Sequence, residues 1–123
     1  ENYRAYGFLS EDDLKNAYAV ADVIVSRAGA NFLFEISSAG KPAIVIPYEY
    51  SAGGHQKVNA EEFAKFGAVV MEEANLKPHI LVSQIKRLMD PATAAAISQR
   101  LRQFVKPDAA SIIAEECLSA ISM

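Results

Sequence analysis

Three short runs of consecutive apolar residues interrupt the first part of the chain, at 23–25, 43–46 and 68–71. β-Branched side chains make up much of each run, which favours a strand, and apolar residues at successive positions indicate burial on both faces. Elsewhere in this part the apolar residues recur every three or four positions, as on one face of a helix. Strands that alternate with helices predict an α/β fold with a partial, Rossmann-like parallel sheet and flanking helices.

A first helix is predicted just after Ser10, upstream of the first strand. Ser10 is suited to cap its N-terminus, and Asp13 lies three positions later, where a capping box places its acceptor. Leu14, Ala17 and Tyr18 follow at helical spacing and form the stripe that we expect this helix to bury.

Two further helices are predicted in the crossovers between strands, at 30–39 and 55–66. Each is followed directly by a glycine, Gly40 or Gly67, and glycine favours the left-handed backbone that ends many helices. The stripes that we expect these helices to bury have three members each, namely Leu33, Ile36 and Ala39 in the first and Val58, Phe63 and Phe66 in the second.

The pattern changes near residue 78, because only helical spacing remains beyond it. Three helices are predicted there, at 80–89, 91–105 and 107–119. Proline is tolerated at the first position of a helix, and each of these helices could begin at a proline, Pro78, Pro91 or Pro107. Three strands make a small sheet for so many helices, so we expect further strands upstream in a longer chain.

Length and composition narrow the class of protein. At 123 residues the chain suits one domain, and its apolar fraction of 51% is sufficient for a core. The net charge of -3 comes without a basic block, so a nucleic-acid partner is not expected. Cys117 is the only cysteine and cannot form an internal disulfide, which fits a reducing compartment. No apolar run reaches the ~20 residues that a membrane-spanning helix needs.

The turn that joins the first strand to the next helix is suited to an anion. Gly29, Ala30 and Asn31 stand where free N–H groups and the helix dipole favour a phosphate, and a glycine there allows a tight turn. Glu35 is four positions after Asn31 and shares its face, so its carboxylate is placed to grip the two hydroxyls of a ribose. Both features also occur without a ligand, since glycine is common in such turns and an acid such as Glu35 near a helix start is more often a solvated charge.

A second polar segment follows the second strand and therefore lies at the same edge of the sheet, where ligands of open α/β sheets bind. Gly53 and Gly54 predict a mobile or tightly turned loop, and His55, Gln56 and Asn59 are polar residues of the next helix. Gln56 and Asn59 are three positions apart, so both amides can address one ligand, and amides suit the hydroxyls of a sugar. An exposed polar helix start would show the same pattern.

Neither a metal nor an organic cofactor is expected. His55 and His79 lack the spacing of metal ligands, and Cys117 is far from both in sequence. Neither a nucleophile elbow nor a Ser-His-acid arrangement is indicated.

Taken together, these segments resemble the C-terminal domain of the MurG-type N-acetylglucosaminyltransferases, which belong to glycosyltransferase family 28. The resemblance covers the chain from about Gly7 to the last helix, and its spacing is kept without gaps from Ala21 to Ala68. Its motifs are 21–30 (ADVIVSRAGA), Glu35, 40–43 (GKPA), Pro47, His55-Gln56, Asn59-Ala60 and Gly67-Ala68. The combination is specific to this family and its near relatives, whereas each motif alone is not.

The resemblance implies the C-terminal half of a two-domain glycosyltransferase of the GT-B fold. Residues 1–123 would form its donor-binding domain, truncated at the N-terminal side. Such enzymes transfer N-acetylglucosamine from UDP-N-acetylglucosamine to lipid I, which gives lipid II in peptidoglycan synthesis. The lipid-linked acceptor would bind mostly to the missing N-terminal domain. A cytoplasmic location is implied, peripheral to the inner face of the cell membrane, with the membrane surface met only by the full-length enzyme.

The resemblance also assigns roles to the residues singled out above. It implies that the α-helix start at Gly29 and Ala30 holds the diphosphate and that Glu35 binds the ribose. The sugar hydroxyls would be addressed by two amides of the second segment, Gln56 and Asn59, and His55 belongs to the same motif. The segment 8–9 would lie near the uracil.

Two departures from the family pattern affect this site. Phe32 stands where a small hydroxyl residue is common, so one phosphate contact is lost or passes to Asn31. Gly53 and Gly54 stand where acidic residues are common, which leaves the loop more flexible. Both bear on the identity of the nucleotide sugar.

Two other functions remain as alternatives. A UDP-N-acetylglucosamine epimerase would share the fold and a related glycine and glutamate pattern, but the His55, Gln56 and Asn59 motif argues against it. A standalone donor-binding subunit that docks on a membrane partner would carry this half without a covalent N-terminal domain.

Overall fold

The computed structural model describes residues 2–121, which form three β-strands and six α-helices. The strands are β1 (Ile24–Ser26), β2 (Ala43–Val45) and β3 (Val69–Val70). The helices are α1 (Glu11–Val20), α2 (Ala30–Ala39), α3 (His55–Ala64), α4 (Pro78–Leu88), α5 (Pro91–Leu101) and α6 (Ala109–Ile121). None of the helices within residues 2–121 has the length and apolar character needed to cross a membrane.

The strands form a parallel sheet in the order β1-β2-β3, so the predicted α/β fold is confirmed. Ile44 of the central strand pairs with Val25 on one side and with Val69 on the other. Each strand lies within the predicted run or one residue beyond it. Because β1 and β2 are parallel neighbours, their carboxyl ends lie at the same edge of the sheet. The predicted site residues follow the strands at this edge.

Side chains of β2 alternate between two layers, as the pleat of a strand requires. Ala43 and Val45 point into a core formed with α2, α3 and the end of α5, while Ile44 and Ile46 pack against α4. All three residues of β2 are fully buried. Consecutive apolar positions in the sequence therefore reflect helices on both faces of the sheet, as predicted.

Helix α1 begins as the sequence predicts, because the backbone N–H of Asp13 donates to the Ser10 hydroxyl at 3.2 Å. Its predicted stripe is only half-buried, and none of its residues belongs to the fully buried set. Leu14 and Tyr18 instead line an open groove between α1 and α2. The expectation of a buried stripe is wrong because α1 packs mainly against α2, and the groove between the two helices stays open.

Helix α2 has the predicted bounds and ends at Gly40, whose φ of 61° is left-handed. Helix α3 ends two residues earlier than predicted, and Val58 is 57% exposed rather than buried. Val58 lies five positions before Phe63, which is about 140° around a helix of 100° per residue. Ala60 is the buried partner of Phe63 instead, so the predicted stripe of α3 was wrong at Val58.

The last three helices follow the predicted order with different ends. Pro78 and Pro91 occupy first-turn positions of α4 and α5, as predicted. Helix α5 stops at Leu101 rather than 105, because the chain turns there and places the Phe104 ring 4.9 Å from that of Phe63. Helix α6 starts two residues after Pro107, and all its described residues are exposed.

Candidate functional site

The candidate site is centred on the start of α2, at the carboxyl end of β1. Gly29 is the N-cap residue and provides no side-chain hydrogen bond to the first turn. The N–H groups of that turn therefore keep their hydrogen-bonding capacity and the positive end of the helix dipole. Gly29 has a φ of −67° and a ψ of 137°, which any residue adopts, so the predicted need for glycine in a tight turn is not supported. What its missing side chain provides is close access to these N–H groups.

Two amide side chains of α3 hold the peptide that leads into this turn. The Ala28 N–H donates to Gln56 Oε1 at 3.3 Å, and the Ala28 carbonyl accepts from Asn59 Nδ2 at 3.0 Å. Gln56 Oε1 also accepts from the N–H of Tyr48 at 2.9 Å, in the loop after β2. Ala28 is fully buried, so these contacts satisfy backbone groups that water cannot reach. The two amides, three positions apart, converge on one target as predicted, and in this structure that target is the backbone of Ala28.

The loop before α3 is a tight turn rather than an open segment. Gly53 and Gly54 both have left-handed backbone, with φ of 61° and 68°, where glycine avoids the strain of a Cβ. The Ser51 hydroxyl accepts from the N–H of Gln56 at 3.3 Å, which stabilises the start of α3. The His55 ring is folded over Gly53, so that a Cβ at Gly53 would lie 3.2 Å from His55 Nε2. His55 is exposed beside this turn.

Glu35 lies on the exposed face of α2, one turn after Asn31, as the spacing predicts. Its Oε2 accepts a hydrogen bond of 2.9 Å from the hydroxyl of Tyr18. Burial, followed by the hydrogen bond and the charge of Glu35, raises the pKa of Tyr18 to about 12. The sequence placed Tyr18 in a core stripe and missed this contact. The available signal was that a packed tyrosine usually finds a partner for its hydroxyl.

A second contribution that the sequence did not predict comes from Arg27, next to the turn. Its guanidinium makes an ion pair of 2.6 Å with Glu73 and donates to the carbonyl of Ile46 at 3.4 Å. It also lies over the Tyr48 ring, 5.6 Å from the centroid. Arg27 therefore joins the carboxyl ends of β1 and β2 and brings a positive charge to the edge where the site lies.

The structure thus brings Gly29, Ala30, Gln56 and Asn59 into one cluster, with Asn31 on the adjoining turn of α2. Glu35 lies one helical turn further along and His55 at the outer side of the loop. Within residues 2–121, His, Cys, Asp and Glu side chains form no group of three or more that could hold a metal ion.

Comparison with known proteins places this chain in a family. Residues 1–117 match the model of the glycosyltransferase family 28 C-terminal domain. The chain belongs to this family. The predicted resemblance is therefore confirmed, and the three parallel strands with flanking helices are those of a family 28 C-terminal domain.

Individual relatives agree with the family assignment. A protein of Geobacter sulfurreducens named UDP-N-acetylglucosamine--N-acetylmuramyl-(pentapeptide) pyrophosphoryl-undecaprenol N-acetylglucosamine transferase is 38% identical over 96% of this chain and 34% of its own length. A protein of the same name from Halothermothrix orenii is 43% identical over 78% of this chain and 26% of its own. The chain spans about a third of the length of the first of these curated relatives.

A solved structure supports the same fold for the family 28 domain. The crystal structure of Acinetobacter baumannii MurG matches with a TM-score of 0.78 and 26% sequence identity, over 91% of this chain and 32% of that one. The epimerase alternative is not favoured by these matches.

Proposed function

We propose that this chain is the donor-binding domain of an enzyme that transfers N-acetylglucosamine from UDP-N-acetylglucosamine to lipid I, giving lipid II in peptidoglycan synthesis. The observation that carries the proposal is the uncapped start of α2 at Gly29, braced by Gln56 and Asn59, in a family 28 domain. Relatives named for this transfer support the choice of substrates. We propose that the domain covers residues 1–123, as part of a longer protein.

The diphosphate of the donor would bind at the first turn of α2. The free N–H groups of Ala30 and Asn31 and the helix dipole favour an anion there, and Gly29 leaves room for its approach. Arg27 adds a positive charge beside the turn, although Glu73 neutralises part of it. The domain would stabilise the departing UDP as negative charge develops on the diphosphate, without a metal ion or cofactor.

The ribose and the sugar would extend from this point in two directions. Glu35 would accept hydrogen bonds from the ribose hydroxyls, one helical turn from Asn31. Within residues 2–121, Gln56 Nε2 and Asn59 Oδ1 make no hydrogen bond, so each amide keeps a donor or acceptor for a sugar hydroxyl while its other atom holds Ala28. His55 would flank the sugar from the outer side of the loop.

The acceptor and the membrane would be met elsewhere in the full-length enzyme. We propose that the lipid-linked acceptor binds a separate N-terminal domain, and that the enzyme works in the cytoplasm, peripheral to the inner face of the cell membrane. This chain alone would then bind nucleotide but transfer no sugar, because proximity of the two substrates supplies much of the catalytic effect.

Titration of the 123-residue chain with UDP and with UDP-N-acetylglucosamine, followed by amide NMR, tests the proposal. We expect shifts at Ala30, Asn31 and Gln56, and no transfer to a lipid I analogue. Glu35→Gln should weaken UDP by about tenfold, since charge-assisted hydrogen bonds are the stronger ones. The matched variant Glu115→Gln, on exposed α6, should leave the affinity unchanged. Absence of UDP binding, or equal effects of the two variants, would contradict the proposal.

A further inference from the structure

Tyr18 and Glu35 join α1 to α2 through one hydrogen bond, 17 positions apart in sequence. We propose that Tyr18 is a positioning residue for Glu35, whose hydroxyl holds the carboxylate in the orientation that receives the ribose hydroxyls of a uridine nucleotide. The inference rests on the proposed function, because it takes Glu35 as the ribose-binding group.

The two side chains differ in how firmly the structure holds them. Glu35 is exposed on α2, where a free glutamate side chain samples several rotamers. The Tyr18 ring is half-buried and packs against the core cluster that contains Leu33 and Ile36. A tyrosine ring has two rotatable bonds, and here packing restricts them. The hydrogen bond of 2.9 Å therefore ties a mobile carboxylate to a fixed point.

The contact leaves the carboxylate able to bind a ligand. Tyr18 occupies one acceptor position of Oε2, and a carboxylate offers about four such positions. Oε1 and the second position of Oε2 remain for two neighbouring hydroxyls. Glu35 and Tyr18 line an open groove of about 670 Å³ between α1 and α2, together with Leu14, Phe34 and Ser38.

Packing alone does not account for the hydroxyl. A phenylalanine ring would fill the same space against the core, and Glu35 is exposed, so water could satisfy its carboxylate. The tyrosine hydroxyl is neutral over the physiological pH range, because the ordinary tyrosine pKa is already 10.0 and burial and Glu35 raise the pKa of Tyr18 further, to about 12. It therefore acts as a hydrogen-bond donor to a charged carboxylate, the state in which Glu35 accepts from a ribose.

Tyr18→Phe in the 123-residue chain isolates this hydroxyl, and UDP with 2′-deoxy-UDP are the two ligands. We expect the variant to weaken the binding of UDP by about threefold to tenfold. The binding of 2′-deoxy-UDP should weaken less, because this ligand lacks one of the two ribose hydroxyls that the oriented carboxylate would accept from. In a Glu35→Gln background the same substitution should have no further effect. Tyr3→Phe is the control, since Tyr3 is 84% exposed and its hydroxyl makes no hydrogen bond within residues 2–121.

The outcomes separate the two proposals. If Glu35→Gln weakens UDP and Tyr18→Phe does not, the positioning role is wrong while the proposed function stands. A wild-type chain that does not bind UDP contradicts the proposed function and removes the basis of this inference.

A measurement on the unmutated chain covers the case in which Tyr18→Phe folds poorly. With tyrosine rings labelled with ¹³C, the Tyr18 signals should shift on addition of UDP but not of inorganic pyrophosphate, which has no ribose. Identical responses to the two ligands would overturn the positioning role.

Discussion

The side-chain nitrogen of Asn59 lies 3.0 Å from the carbonyl oxygen of Ala28, so the second turn of one helix fixes the peptide that opens another. Asn59 is 31 positions later in sequence than Ala28. The direction in which the first turn of α2 points is therefore set by α3 as well as by the strand before it. Any ligand at Gly29 would be sensitive to this contact.

Asn59→Ala should lower the free energy of unfolding by about 1–3 kcal/mol, because it leaves the carbonyl of the buried Ala28 without its donor. UDP affinity should fall in the same variant. Urea unfolding and UDP titration measure the two effects. Asn16→Ala, on the exposed face of α1, is the matched control and should stay within about 0.5 kcal/mol of the wild type. A loss of UDP affinity without a loss of stability would contradict the structural role of Asn59 at Ala28.

Two substitutions at Gln56 separate its contact with backbone from its proposed contact with the sugar. Gln56→Glu keeps an oxygen for the N–H groups of Ala28 and Tyr48 but removes the amide donor. We expect it to keep the stability of the wild type while UDP-N-acetylglucosamine weakens relative to UDP by about threefold or more. Gln56→Ala should lose stability as well, by about 1–2 kcal/mol. The added negative charge should weaken both ligands alike, since both carry the diphosphate. The ratio of the two dissociation constants is therefore free of this effect. An unchanged ratio in Gln56→Glu would place the sugar elsewhere.

Gly40 should resist substitution because its φ of 61° strains any residue with a Cβ. Gly40→Ala would also bring the Cβ into a clash with the guanidinium of Arg102, although the end of that flexible side chain can move. We expect a loss of at least about 1 kcal/mol in the free energy of unfolding, measured in urea. Gly7→Ala has no atom within 4 Å of the added Cβ and serves as the control. Equal stability of the two variants would contradict the left-handed end of α2.

Stability at alkaline pH should depend on Tyr18. Its pKa is raised to about 12 in the folded chain, from an ordinary value of 10.0. In the unfolded chain the hydroxyl ionises first, so stability that is present below pH 10 is lost as the pH rises toward 12. Tyr18→Phe should show a shallower decline over this interval in thermal melts. A parallel decline in both proteins would mean that the Tyr18 pKa is close to its ordinary value.

The elements that the sequence predicted well are those with a strong local pattern. The bounds of α2 follow from its apolar spacing and from Gly40, and both are local signals. The prediction that Val58 is buried was wrong, because one apolar residue near the start of a polar helix does not show which face is buried. The convergence of Gln56 and Asn59 followed from their spacing, but their target did not.

Contacts between distant segments were beyond local reasoning. Tyr18 and Glu35 meet because α1 and α2 pack side by side, and no periodic pattern records that approach. Arg27 and Glu73 are brought together by the parallel order of the strands, which fixes where two loops emerge. Local spacing predicts that these helices and strands exist, but not how they are placed relative to one another. The contacts depend on that placement.

Gly29 leaves α2 without a side-chain cap of its own. Its φ of −67° and ψ of 137° suit serine or aspartate, and an added Cβ would lie 3.4 Å from Phe32 Cδ2, an ordinary contact. A serine there would give α2 a built-in acceptor, whose absence costs the helix only about a few tenths of a kcal/mol. That internal acceptor would compete with any anion from outside for the same N–H groups. The position thus gives up a small, permanent gain in stability and leaves the N–H groups of the first turn open to water or to an anion.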